Sequence, residues 1–168
     1  MTERFLGYVI GVDPGTSTGV FALRLDADDV LPIHRYQGGP DPALDWIERV
    51  LTHAAAHGET VHVACERYTV GPKTGLLTQQ PVALHVIGRL KHLTGTFDVP
   101  LIMQSPGDAK KFAPNELLET LGFRVKPAEV GQRDANDVND AARHAVLVLA
   151  KTWATLFDAL VRRTSSPR

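Results

Sequence analysis

Tyr8-Val-Ile-Gly-Val-Asp-Pro-Gly-Thr-Ser-Thr-Gly-Val-Phe-Ala-Leu-Arg-Leu25 is the stretch from which the rest of the chain can be read. Tyr8 to Val12 is a short apolar, β-branched run and predicts a buried strand. Asp13-Pro-Gly-Thr-Ser-Thr-Gly19 has turn chemistry. Val20 to Leu25 predicts a second strand, Asp26-Ala-Asp-Asp29 a second turn, and Val30 to Tyr36 a third strand. Pro32 suits a sheet edge, because it has no N–H to donate to a ladder. Three strands joined by short turns predict an antiparallel meander.

Beyond the meander the period changes. Gln37-Gly-Gly-Pro-Asp-Pro42 breaks the pattern, and a helix is predicted over Ala43 to His57, with Leu44, Ile47, Val50, Leu51 and Ala54 on one stripe and Gly58 as its stop. Val61-His-Val-Ala-Cys65 predicts a fourth strand ending at Glu66. Residues 69–75 carry Gly71, Pro72 and Gly75 and read as a loop. A second helix is predicted from Leu77 to Leu93, with Pro81 near its start or kinking it. Val99 to Gln104 predicts a fifth strand, Ser105-Pro106 a helix cap and first turn, and Ala113 to Gly122 a short helix. Residues 124–135 read as irregular. A long helix is predicted from Asn136 to Arg162, with Ala141, Ala145, Val148, Leu149, Leu156 and Leu160 as its buried stripe, and Thr164 to Arg168 as a frayed tail. The order predicts an α/β fold: a mixed five-stranded sheet with helices on its faces, in a single domain over residues 1–163 with a flexible tail at 164–168.

The composition suits such a domain. Of 168 residues, 43% are hydrophobic and 22% charged, which supports a real core. The longest apolar runs, such as Ala145 to Ala150, are far below a membrane span, and Met1-Thr-Glu-Arg-Phe5 lacks the pattern of a signal peptide. The lone Cys65 allows no intrachain disulfide, and the expected setting is reducing and cytoplasmic. A net charge of −1 argues against bulk electrostatic binding of nucleic acid, but the charge is unevenly spread. Residues 1–65 hold nine acids and four bases; residues 66–126 hold five acids and eight bases. No Asp or Glu lies between Arg67 and Phe97, where Arg67, Lys73, Arg89 and Lys91 make a mildly basic segment.

Four acids fall at element ends. Asp13 follows the first strand directly and Glu66 the fourth. Ligand sites of open α/β sheets gather at such ends. Asp137 and Asp140 are three apart at the start of a helix, so they share a face near its positive pole. Singly, each acid reads as a turn or cap residue. Jointly they form a carboxylate cluster, which is self-repelling unless it binds cations or takes up protons. Hard oxygen ligands favour Mg²⁺ or Mn²⁺, and paired ions of this kind are a device for phosphodiester hydrolysis.

Ile10 to Val20 resembles the opening motif of the RuvC-type Holliday junction resolvases (crossover junction endodeoxyribonucleases), Val63-Ala-Cys-Glu66 their second motif, and Asp137-Val-Asn-Asp-Ala141 the closing motif of their last helix. Lys110-Lys111 after Ser105-Pro106 is similar to a basic segment of that family, and the small size is closer to phage-encoded members. The resemblance implies a ribonuclease-H-like fold, Asp13, Glu66, Asp137 and Asp140 as catalytic ligands of two Mg²⁺ ions (Mn²⁺ substituting), a homodimer, and paired nicking of four-way junctions and related branched DNA. It also implies a bacterial cytoplasmic setting without a membrane partner. The sequence departs in two places. The glycine-rich turn after Asp13 is one residue shorter, and the aromatic expected just after Glu66 has only Tyr68 as a near match.

Other residues keep two readings. Arg67, Tyr68, Lys73, Lys110 and Lys111 are candidate DNA contacts or ordinary surface groups. His144, four residues after Asp140, is a candidate support for the acids or aid to proton transfer, or else a packed or solvated histidine, and Asp134 is close but reads as loop. Cys65 points away from the Glu66 face and reads as a small core residue. Val86, Ile87 and Leu90 are either a dimer contact or core. Rival functions are an actin-like or sugar-kinase ATPase, whose phosphate loop Asp13-x-Gly15-Thr16-x-x-Gly19 could imitate, another nuclease of the same fold acting on RNA, and a non-catalytic DNA-binding relative. The ATPase closes two domains over its nucleotide, and this length predicts one.

Overall fold

The first three strands form as the turn chemistry requires. In the computed structural model, which describes residues 5–68 and 80–165, they are β1 (Phe5–Asp13), β2 (Thr18–Asp26) and β3 (Val30–Gly38). They pair antiparallel in sequence order, and β3, with its Pro32, is a sheet edge. After helix α1 (Pro40–His57), strand β4 (Val61–Glu66) pairs parallel with β1 on the other side. Helix α2 (Gln80–Thr96) leads to β5 (Leu101–Gln104), parallel to β4, which completes a five-stranded sheet in the order β3-β2-β1-β4-β5. Four helices follow before the last: α3 (Pro106–Phe112), α4 (Asn115–Thr120), α5 (Pro127–Val130) and α6 (Asn136–Thr152), then α7 (Ala154–Ser165).

Strand alternation splits the core into two layers. Ile10, Val12, Val20 and Ala22 pack under α1 and α2, against Leu44, Ile47, Val86 and Leu90. Val9, Phe21, Leu23 and Ala64 face the other way, against Val138, Ala141, Ala145 and Leu149 of α6. Val86, Ile87 and Leu90 are therefore core, not a surface for a second copy. Cys65 is buried on the α1–α2 side, where burial pushes its thiol well above the ordinary range.

Several boundaries differ from expectation. α1 starts at Pro40, three residues early, because prolines at the first helical turn lose no hydrogen bond. α2 is described only from Gln80, so the start expected at Leu77 lies outside the described residues, as do the loop at 69–75 and Lys73. Val99 and Pro100 stay outside β5, and the irregular 124–135 segment contains the short α5. The long helix is two, bent by 118° at Trp153. A straight helix over Asn136 to Arg162 would run about 40 Å, whereas a strand as long as β1 spans about 30 Å, so its end would overhang the sheet. Instead the Trp153 ring meets His62 of β4 edge-on at 4.8 Å, and the turn brings Leu160 back into the core, while Leu156 is half-buried. The tail expected from Thr164 is helical to Ser165, with the Thr164 hydroxyl donating to the Leu160 carbonyl at 3.0 Å. Among the described residues no single helix is long and apolar enough to cross a membrane.

At two points α6 lies against β1 and β2 without intervening side chains. A Cβ at Gly11 would stand 2.0 Å from the Ala141 carbonyl oxygen, and one at Gly19 2.1 Å from that of Asp137. Backbone meets backbone at both points, so neither can yield by rotating a side chain. Gly11→Ala and Gly19→Ala should each cost about 3 kcal/mol or more, at or beyond the upper end of overpacking. Gly88→Ala, in α2 with open space around its Cβ, should instead gain about 0.5–1 kcal/mol. Urea denaturation of the three variants measures both signs.

Candidate metal centre

The parallel ladder between β1 and β4 sets Val12 beside Cys65, so the next residues, Asp13 and Glu66, leave the sheet together at its carboxyl end. Asp13 is also paired with Gly19 on β2, and the missing side chain at Gly19 admits the first turn of α6. That turn is held by Gln37 of β3, whose side-chain oxygen accepts from the Val138 N–H at 3.1 Å. Asp134, just before the helix, braces it too, accepting from Asn136 N–H at 3.1 Å and from the Gln37 amide at 3.2 Å. These bonds hold the Asp134 carboxyl below its usual range, the Asn136 N–H first.

The result is a shared site. Asp13, Glu66 and Asp140 each offer an oxygen within 4.8 Å of the other two. Asp137 stands beside this trio rather than in it, and its Oδ2 accepts from Ser17 Oγ at 2.5 Å. Burial raises the Asp137 carboxyl, with Ser17 opposing and Asp134, Asp140 and Glu66 adding to the rise. Asp13 is more affected: burial first, then the charges of Glu66, Asp137 and Asp140, lift it to about 8. A group this costly to ionise among like charges is what a cation would relieve. The donor set, all carboxylate oxygens, fits a hard divalent metal.

Two basic groups compensate in part. Lys110 Nζ lies 3.0 Å from Asp140 Oδ2, and Arg143 Nη1 donates to Asp140 Oδ1 at 2.5 Å. Arg143 is held in turn by the Ala113 carbonyl at 3.1 Å and Asn115 Oδ1 at 2.5 Å. Behind Glu66, the buried His144 places Nε2 3.2 Å from Oε2. His144 thus neighbours Glu66 and has no hydrogen bond to either helix acid among the described residues. Arg67 and Lys111 are exposed, while Tyr68 packs partly against the α1–α2 core.

Ser17, Gln37, Gln104 and Arg143 escaped the sequence reading. Arg143 had a signal, three residues beyond Asp140 on one helical face. Gln104 had another, ending β5 as Glu66 ends β4. Gln37 had none, since its partner is 101 residues away.

The architecture has solved counterparts. The RuvC of Thermus thermophilus, solved with a Holliday junction substrate, superposes with a TM-score of 0.54 at 17% identity, over 96% of this chain and 98% of that one. A second structure of Thermus thermophilus RuvC gives 0.53 at 18% identity, over 93% and 95%. This chain has a RuvC-type fold. The fold is ribonuclease-H-like, the mixed five-stranded sheet with helices on both faces that the sequence predicts. No family model matches the sequence, and no curated protein matches it.

The raised Asp13 carboxyl makes metal-free stability depend on pH. Its folded value, about 8, lies above the unfolded 3.8, so the native state holds the extra proton between them. Stability should therefore fall as pH rises from about 4 to about 8, opposite to an ordinary salt-bridged acid. Melts in EDTA across that range should show the decline in the wild type and a shallower one in Asp13→Asn.

Proposed function

We propose that this protein is a RuvC-type nuclease: a Mg²⁺-dependent, structure-selective endonuclease that resolves four-way and related branched DNA by paired nicking. The observation that carries this reading is the meeting of Asp13, Glu66 and Asp140 at the carboxyl end of the sheet, on a RuvC-type fold. Asp13, Glu66 and Asp140 would be ligands, with Asp137 completing the set for a second ion. Mn²⁺ would substitute. Bound there, the ions supply an activated water and charge relief for the departing oxygen.

The chain's own residues account for the rest of the work. Gly19 and Gln37 seat α6 so that its acids face Asp13. Arg143 fixes the rotamer of Asp140. Lys110 sits where it can pass from Asp140 to a phosphate oxygen, and the exposed Arg67 and Lys111 extend the positive surface toward a DNA backbone. Tyr68 and Lys73 belong to the same proposed contact. A two-fold homodimer would present two matching centres to the two symmetry-related strands of a junction. Its interface would have to lie away from Val86, Ile87 and Leu90, which the core consumes.

The test is cleavage, with Mg²⁺, of labelled four-way junctions, forks, flaps and RNA–DNA hybrids. The expected outcome is paired nicks in the junction. Asp13→Asn, Glu66→Gln and Asp140→Asn should each lose about a hundredfold or more in rate while still retarding the junction in gels. Preferential cutting of the hybrid would move the assignment to an RNA-directed nuclease. Near-normal cleavage by any one variant would remove that residue from the centre.

A further inference from the structure

The support behind Glu66 is buried and continuous. His144 is 1% exposed, with Nε2 3.2 Å from Glu66 Oε2 and Nδ1 2.8 Å from the side-chain oxygen position of Gln104. Gln104, 6% exposed, ends β5 directly across the ladder from Glu66. An ionised carboxylate can only accept, so the hydrogen of the His144–Glu66 contact sits on Nε2. Nδ1 is then satisfied by the Gln104 amide, through whichever end matches its protonation. The ring cannot swing away without leaving buried polar atoms unpaired. Among the described residues no hydrogen-bond donor reaches the other oxygen, Oε1.

The geometry points to Gln104 and His144 as a positioning pair that engages Glu66 through Oε2, limits it to one-oxygen ligation, and so makes the centre select a small octahedral cation over a larger one. The inference rests on the metal-centre reading above. Ca²⁺ takes six to eight oxygens at about 2.3–2.6 Å and readily uses both oxygens of a carboxylate, whereas Mg²⁺ requires a near-octahedral set at about 2.0–2.1 Å. A glutamate whose second oxygen is already held by a buried imidazole is poorly placed to close a two-oxygen chelate. Freed of that hold, it can. Neither residue touches the metal in this scheme; both act through Glu66, as outer partners of ligands do elsewhere.

Titration calorimetry of the full chain with MgCl₂, MnCl₂ and CaCl₂ tests this. Gln104→Leu and His144→Ala should weaken Mg²⁺ and Mn²⁺ binding by about tenfold or more while leaving Ca²⁺ binding unchanged or tighter, so the preference narrows. His144→Gln, which keeps an N–H toward Glu66, should retain most of the wild-type preference. Melts in EDTA report folding. Should His144→Ala unfold, Gln104→Leu leaves the ring in place and carries the same expectation. Equal weakening for Mg²⁺ and Ca²⁺, or a wild-type preference in folded Gln104→Leu, overturns the inference. Glu66→Gln separates the two levels. Unchanged Mn²⁺ binding in that variant defeats the metal centre itself. Weakened binding there, with wild-type selectivity in the pair variants, defeats only the positioning role.

Discussion

The contact of the α6 backbone on Gly11 and Gly19 is the constraint from which the rest of the arrangement follows. Side chains normally hold a helix well clear of a sheet; here two missing Cβ atoms let it settle onto β1 and β2. The points of contact are the carbonyls of Asp137 and Ala141, one turn apart and flanking Asp140. The same packing that buries Val138, Ala141 and Ala145 therefore sets the height of the acids above Asp13. Core and site share one set of atoms, and a change that lifts the helix disturbs both.

Close seating concentrates negative charge, and the surroundings answer it unevenly. Asp140 receives Lys110 and Arg143, Glu66 receives His144, and Asp137 receives Ser17 and the positive pole of α6. Asp13 is reached by no hydrogen-bond donor among the described residues and carries the largest cost of ionisation. The frame is thus built around a deficit of positive charge at Asp13. Such a deficit is a poor stabiliser of the metal-free fold and a good reason for a divalent cation to bind.

Much of this was legible in the sequence because its signals are local. The β-branched run before Asp13, the turn chemistry after it, and the three-residue spacing of Asp137 and Asp140 each report on neighbours in the chain. Strand alternation placed Cys65 opposite the Glu66 face, and Pro32 placed β3 at an edge. What escaped is long-range. The bend at Trp153 depends on where the sheet ends, which a helical stripe does not record. Gln37 supports α6 from another element, and Gln104 reaches His144 only once β5 lies beside β4. Val86, Ile87 and Leu90 are core because they pack with α1, a contact that an apolar helical stripe does not record.

A crystal of the protein soaked in MnCl₂, with anomalous scattering recorded for manganese, addresses the central claim most directly. The account predicts an anomalous peak bonded at about 2.1 Å to oxygens of Asp13, Glu66 and Asp140, with Lys110 withdrawn from any Asp140 oxygen the ion takes. An ordered, well-occupied lattice with no peak among these carboxylates, and with Asp140 still held by Lys110, would contradict it.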